Sequence, residues 1–188
     1  MCENPIDKTK ILFTRDEMYE LNKERLESRG VTIDDIAKIA QKQQERYTKD
    51  IDYNVCLEST KKILSYPDAF HMIQLGIEID ELAEQNKLSE PIQSIIKSDL
   101  GLFGIDELLG LELAGNFGII GRTNFGDLDV NKPGIIGELN NEGKRPDKCH
   151  TFIDDIVGAL AACASTRVAQ VYKANDVLKA EGKEVKKE

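Results

Sequence analysis

Through its first hundred residues the chain is punctuated by helix start and stop signals, with no alternating strand pattern between them, and this confines it to packed helices. Asp16 can cap a helix carrying Met18, Leu21, Arg25 and Leu26, with Gly30 as its left-handed terminator. Thr32 and Asp35 have capping-box spacing, followed by an apolar stripe through Ile33, Ile36, Ala37, Ile39 and Ala40. Asp52 opens a third helix that stops before Pro67, a fourth runs from about Asp68 to Leu88, and Ser89 caps a short fifth. The expectation is an all-α, single multihelical domain over residues 1–172, with a helix end and charged tail over 173–188.

The longest apolar run, Ile156 to Ala164, is less than half of the ~20 residues needed to cross a bilayer, and the N-terminus has no apolar stretch of signal-peptide length. Cys2, Cys56, Cys149 and Cys163 show no CxxC spacing, as expected of reduced thiols in a cytoplasmic protein. Cys149 precedes His150, which suggests a thiolate nucleophile, but the CxxxxxR loop of cysteine phosphatases is missing. With 34 acidic against 25 basic side chains the formal charge is -9, which disfavours nucleic acid and gives at most transient contact with anionic membranes.

Composition shifts near residue 100, since eleven of the fourteen glycines fall between Gly101 and Gly158. A short motif repeats across this region, IDELLG at 105–110 and IDDIVG at 153–158. On helices, Asp106 lies over Gly110 and Ala114, and Asp154 over Gly158 and Ala162, so two small faces could approach and gather Asp106, Glu107, Asp154 and Asp155. Such hard oxygen donors suit Mg²⁺. The plainer alternative is that these acids complement helix dipoles, with Thr151 and Asp154 as a capping box.

Between the repeats, residues 115–140 carry six glycines with Arg122, Thr123, Asn124 and Lys132 as donors for phosphate oxygens, the composition of a phosphate-cradling loop. Neither a Walker A loop nor a GxGxxG occurs. The resulting architecture is a glycine-rich loop between two acidic-start helices.

The segments GRTNFGDLDVNKPGIIGELN and CHTFIDDIVGALAACAS, with GVTIDDIA and GIEIDELAEQNKLSEPIQ upstream, resemble the soluble branch of the phosphatidylglycerophosphatase A family. Here Ile135 follows Pro133 and Gly134, where the membrane-bound branch has Thr. The resemblance implies a Mg²⁺-dependent phosphatase with metal and catalytic carboxylates from Asp106, Glu107, Asp154 and Asp155, proton transfer by His150, and Arg122, Thr123, Asn124 and Lys132 binding substrate. It implies a phosphorylated lipid, phosphatidylglycerophosphate, as substrate, with a small soluble phosphate ester as the alternative for a chain without membrane helices. A homo-oligomer is compatible with all of this, and so is peripheral attachment at the membrane.

Two other function classes fit parts of the sequence. Glu78, Glu81 and Glu84 have the helical spacing by which all-α nucleotide pyrophosphohydrolases hold magnesium. A non-catalytic binding or regulatory module would use the acids as caps and the glycines for turns.

Overall fold

The computed structural model describes residues 12–99 and 104–183, which form nine helices and no strand. They are α1 (Arg15–Ser28), α2 (Ile33–Gln44), α3 (Tyr53–Leu64), α4 (Pro67–Glu84), α5 (Ile92–Ser98), α6 (Ile105–Gly115), α7 (Gly118–Asn131), α8 (Ile135–Glu142) and α9 (Ile153–Ala180). The all-α expectation holds, and so does most of its punctuation. Thr32 and Asp35 form a reciprocal capping box, Asp52 accepts from the Asn54 amide, and Gly30 ends α1 at φ 80°. The first helix starts earlier than expected, because Thr14 and Glu17 form the capping box there and Asp16 falls in the first turn.

Helix α9 is the axis of the molecule. All residues from Ile153 to Thr166 are buried, and α2, α3, α4, α6, α7 and α8 pack around them. The run Gly158, Ala159, Ala161, Ala162 and Ala164 explains how one helix accommodates so many neighbours, since small side chains let helix backbones approach without voids. Polar ties fix this interior: Gln44 Nε2 donates to Ser165 Oγ at 2.9 Å and Asn124 Nδ2 to Thr166 Oγ1 at 3.1 Å. At the lower end α9 continues to Ala180, and residues 184–188 of the expected tail lie outside those described.

The expected glycine-rich loop is instead two helices, α7 and α8, joined at Lys132–Gly134. Two of its glycines, Gly121 and Gly137, are pressed against backbone, and two more, Gly118 and Gly134, take positive φ. A Cβ on Gly121 would strike the Ala114 carbonyl oxygen, so this glycine is what lets α7 lie against α6. Tertiary contact of this kind outweighs the weak helix propensity of glycine.

The two small faces on α6 and α9 are also used differently from expectation. The ring of Phe125 enters between them: a Cβ on Gly110 would lie 2.6 Å from Phe125 Cζ and 3.3 Å from the Asp155 carbonyl oxygen, while one on Gly158 would meet the ring at 3.5 Å. Gly110→Ala therefore overpacks a site bounded by backbone and is expected to destabilise the protein by about 1–3 kcal/mol. Gly158→Ala makes only ordinary contacts and is expected to be much milder. Chemical denaturation of the two variants tests this ordering.

Candidate functional site

The first turn of α9 carries Asp154 and Asp155 into a pocket that also receives Asp106 and Glu107 from the start of α6 and Asp129 and Lys132 from the end of α7. Asp99 and Asn140 complete it, and the cavity measures about 190 Å³. Lys132 is brought there by unusual backbone. It adopts the left-handed conformation at φ 41°, its amide closing α7 on the Leu128 carbonyl, and Gly134 follows at φ 57°, ψ -131°. That second conformation suits glycine, and a Cβ on Gly137 would lie 2.5 Å from the Lys132 carbonyl oxygen. The Lys-Pro-Gly element is thus a reversal that aims one ammonium group at the acids.

Lys132 Nζ lies 2.7 Å from Asp129, 3.0 Å from Asp154 and 3.2 Å from Asp155. Asp154 and Asp155 are almost wholly buried, whereas Asp129 and Lys132 reach partly into solvent. Asp154 also accepts from the Asp155 amide at 3.0 Å. Burial pushes the carboxyls of Asp154 and Asp106 up to about 6, with the nearby Lys132 charge opposing the rise at Asp154. Burial and the adjacent Asp154 charge push Asp155 up further. On Lys132, burial would lower the ammonium's affinity for its proton, but Asp154, Asp129 and Asp155 more than reverse that. Six acids and one cation share this pocket, so charge is left over for a proton or a further cation to neutralise.

Among the described residues, no three acid, histidine or cysteine side chains converge closely enough to enclose a metal ion unaided. Magnesium does not require such a cage, because it is commonly held by one or two carboxylates with waters and substrate phosphate. The donor set fits that chemistry, all hard oxygen, and the Lys132 ammonium beside Asp129, Asp154 and Asp155 marks a position where positive charge is held.

The remaining residues singled out from the sequence lie elsewhere. Arg122 pairs with Glu112 at 3.0 Å on the outer side of α6, and Thr123 is exposed, its hydroxyl on the Ile120 carbonyl. Asn124 is buried and spends its amide on Thr166, while its carbonyl accepts from Gln43. None of these three lines the acid pocket. Each sits in α7, where helical geometry turns consecutive residues to different faces and only the helix end reaches the acids.

His150 also stands apart from the pocket lining. Its Nδ1 is 3.0 Å from the Leu139 carbonyl oxygen, which can only accept, so Nδ1 carries the proton. Burial lowers the imidazole's affinity for a second proton. Cys149 is no thiolate, because burial and the neighbouring Asp80 push the thiol up. Cys56, Cys149 and Cys163 are all free and buried, and Cys2 lies outside the described residues.

The start of α9 is held by Asp80 and Arg29, which sequence spacing did not single out, and by Thr151 and Glu84 in roles other than those their spacing suggested. Thr151 forms no capping box with Asp154, because its hydroxyl donates to the Ile96 carbonyl at 2.7 Å. The capping is done from α4. The fully buried Asp80 carboxylate accepts from the amides of Phe152 (3.1 Å) and Ile153 (3.0 Å). Glu84 accepts from the Cys149 amide at 3.0 Å, and Arg29, bound to Glu84 at 2.7 Å, donates to the Cys149 carbonyl at 2.8 Å. Asp80 was legible in principle, since it falls on the buried stripe of Ile73, Gly76, Ile77 and Ala83.

Glu78, Glu81 and Glu84, the spacing that suggested a pyrophosphohydrolase, are ion-paired: Glu78 and Glu81 with Arg25, Glu84 with Arg29. They tie α4 to α1, which removes the observation on which that alternative rested.

The family model for phosphatidylglycerophosphatase A matches residues 53–170, which span α3 through most of α9 and include every residue of the acid pocket. YpjQ of Bacillus subtilis is 45% identical over 86% of this chain and 89% of its own length, and YutG of the same organism is 43% identical over 77% and 86%. The crystal structure of YpjQ superposes with a TM-score of 0.80, covering 86% of this chain and 99% of that one. The low temperature requirement C protein of Listeria monocytogenes, 38% identical, superposes at 0.78 over 83% of this chain and 97% of its own. No helix among the described residues is long and apolar enough to cross a membrane. The chain belongs to the phosphatidylglycerophosphatase A family.

Proposed function

We propose that the acid pocket is the active site of a Mg²⁺-dependent phosphomonoesterase, with phosphatidylglycerophosphate as the family-implied substrate and a soluble phosphate ester as the competing one. The observation that carries this is the convergence of Asp129, Asp154 and Asp155 on the ammonium of Lys132, in a pocket that Asp106 and Glu107 also line.

Asp106, Glu107 and Asp154 are the proposed candidates to hold the ion, one or two of them directly and the rest of its shell from water and substrate phosphate, since no three carboxylates converge among the described residues. Bound there, magnesium would supply Lewis-acid polarisation of the phosphoryl group. Lys132 then has a second role besides pairing with the acids: its ammonium can turn to a phosphoryl oxygen and stabilise charge that builds up there during displacement. Asp155 is the proposed proton carrier. It lies buried beside Asp154 with Lys132 Nζ at 3.2 Å, a position from which a carboxylate could take a proton from the attacking water and pass it toward the leaving alkoxide. His150, turned to Leu139, is assigned to fixing the chain between α8 and α9 rather than to proton transfer.

Asp154→Asn tests the assignment, because it removes one charge from the pocket while keeping side-chain volume. Phosphate release is expected to fall about 10²-fold or more with the fold retained by circular dichroism. Unchanged turnover in a folded variant rules the residue out.

The pocket also makes a prediction about pH. Asp106 and Asp154 have folded values near 6, above the ~4 of unfolded carboxylates. The native state therefore holds more protons between about 4 and 6, and the stability this gives is present below about 4 and lost as pH rises through about 6. Metal-free protein is expected to melt lower at pH 7.5 than at pH 5, and Mg²⁺ to raise the melting temperature more at pH 7.5 than at pH 5. A melting temperature indifferent to Mg²⁺ and EDTA at both pH values favours a non-catalytic module instead.

A further inference from the structure

The acid pocket measures about 190 Å³, and a larger ester bound in it would extend past its lining. Asp99, left-handed at the end of α5, lines it and also lines a second cavity of about 380 Å³. Lys97 forms one wall of this cavity, and Lys144, Arg145 and Lys148, from the chain between α8 and α9, form the other. Gly143 lets that chain lie close against the start of α9, since a Cβ there would press on His150 Cβ at 3.0 Å.

Four basic residues around one cavity stand out in a chain of net charge -9. Arg145 is engaged by Glu142 at 3.5 Å and Asp147 at 3.1 Å. The lysines are less committed. Lys148 approaches Glu142 only at 4.0 Å, and among the described residues Lys97 and Lys144 make no ion pair. Asp99 is the only acid in the lining. Ammonium groups on flexible stems bind phosphate as point charges and need no fixed fork geometry.

We infer that this basic cavity is a subsite for a second anionic group of the substrate, so that preferred substrates carry a phosphomonoester and another phosphate a few bonds away. The inference rests on the acid pocket being the phosphomonoester site, and it extends that reading by naming what lies beyond the shared Asp99 wall. A phosphodiester within a lipid headgroup and a second phosphomonoester on a soluble polyol share this chemistry.

The test measures Mg²⁺-dependent binding by calorimetry with phosphonate analogues, which a phosphomonoesterase cannot cleave, of propyl phosphate, propane-1,3-diol bisphosphate and short-chain dihexanoyl phosphatidylglycerophosphate. The wild-type chain is expected to bind the bisphosphate about tenfold or more tightly than propyl phosphate, the worth of one charge-assisted contact. The double variant Lys97→Glu with Lys148→Glu should abolish that advantage and leave propyl phosphate affinity unchanged. Lys97→Ala with Lys148→Ala should show the same loss in smaller degree, which covers the case that charge reversal perturbs folding. Equal wild-type affinity for the two soluble probes, or an advantage that survives in both variants, overturns the subsite.

Additional tightening by the dihexanoyl lipid assigns the second anion to a lipid headgroup, and none assigns it to a soluble bisphosphate. Phosphate release from the parent esters separates the two levels of the proposal. Release at equal kcat/KM from both soluble probes, untouched by the variants, leaves a phosphatase without this subsite. A bisphosphate preference without any release keeps the anion subsite and ends the phosphatase.

Discussion

Lys132→Met is expected to lower stability at pH 7.5 by roughly 3 kcal/mol and to cut phosphate release by about 10²-fold. The ammonium is the one positive group among the residues lining the acid pocket, and removing it leaves the buried Asp154 and Asp155 without a partner. Uncompensated buried charge costs more than the pair itself contributes. The deficit has a distinctive pH dependence. Both carboxyls already have raised proton affinity, so near pH 5 they can take up protons and the gap to wild type should narrow. Mg²⁺ should narrow it too, because an ion can supply the missing charge. A Lys132→Met protein as stable as wild type at pH 7.5, measured by urea denaturation with EDTA present, would show that the acids are not held together by this lysine.

Asp80→Ala is expected to cost about 3 kcal/mol and to weaken Mg²⁺ binding, although Asp80 does not line the pocket. It leaves the Phe152 and Ile153 amides without their acceptor inside the core, directly before Asp154. Burial pushes the Asp80 carboxyl up to about 8, against the pull of those amides and of Arg29, so its ionised form is itself under tension. Asp80→Asn separates geometry from charge, since the amide oxygen can still accept from α9. The expected result is partial stability with Mg²⁺ affinity closer to wild type. If Asp80→Ala unfolds the protein but Asp80→Asn matches wild type in both stability and Mg²⁺ affinity, the role of Asp80 is geometric. If Asp80→Ala folds and binds Mg²⁺ normally, Asp80 does not position the α9 acids.

Much of the candidate site was written in local patterns. The repeated Ile-Asp-acid starts of α6 and α9 gave four of the pocket's acids, and the Lys-Pro-Gly element gave its cation. These were legible because helix starts and turns depend on near neighbours in sequence. Arg122, Thr123 and Asn124 fall outside the acid pocket for a physical reason: glycine enrichment signals that backbone must come close to something, and here the something is another helix, as Gly121 against Ala114 makes plain. Asp129 was hidden for the opposite reason, since nothing in its spacing distinguishes it from its neighbour Asp127, which instead pairs with Arg46 at 2.7 Å. The burial of Asp80 follows from its place on the α4 stripe, but its capping of α9 depends on contacts more than seventy residues away that no local window displays.

Family membership and the acid pocket together make hydrolysis of a phosphomonoester the central claim, and phosphate release tests it most directly. Purified full-length protein should liberate inorganic phosphate from phosphatidylglycerophosphate in mixed micelles, or from a soluble ester such as propane-1,3-diol bisphosphate, with Mg²⁺ and not with EDTA. The same preparation of Asp154→Asn should release about 10²-fold less. No release from either class of substrate by folded wild-type protein in Mg²⁺ would contradict the account.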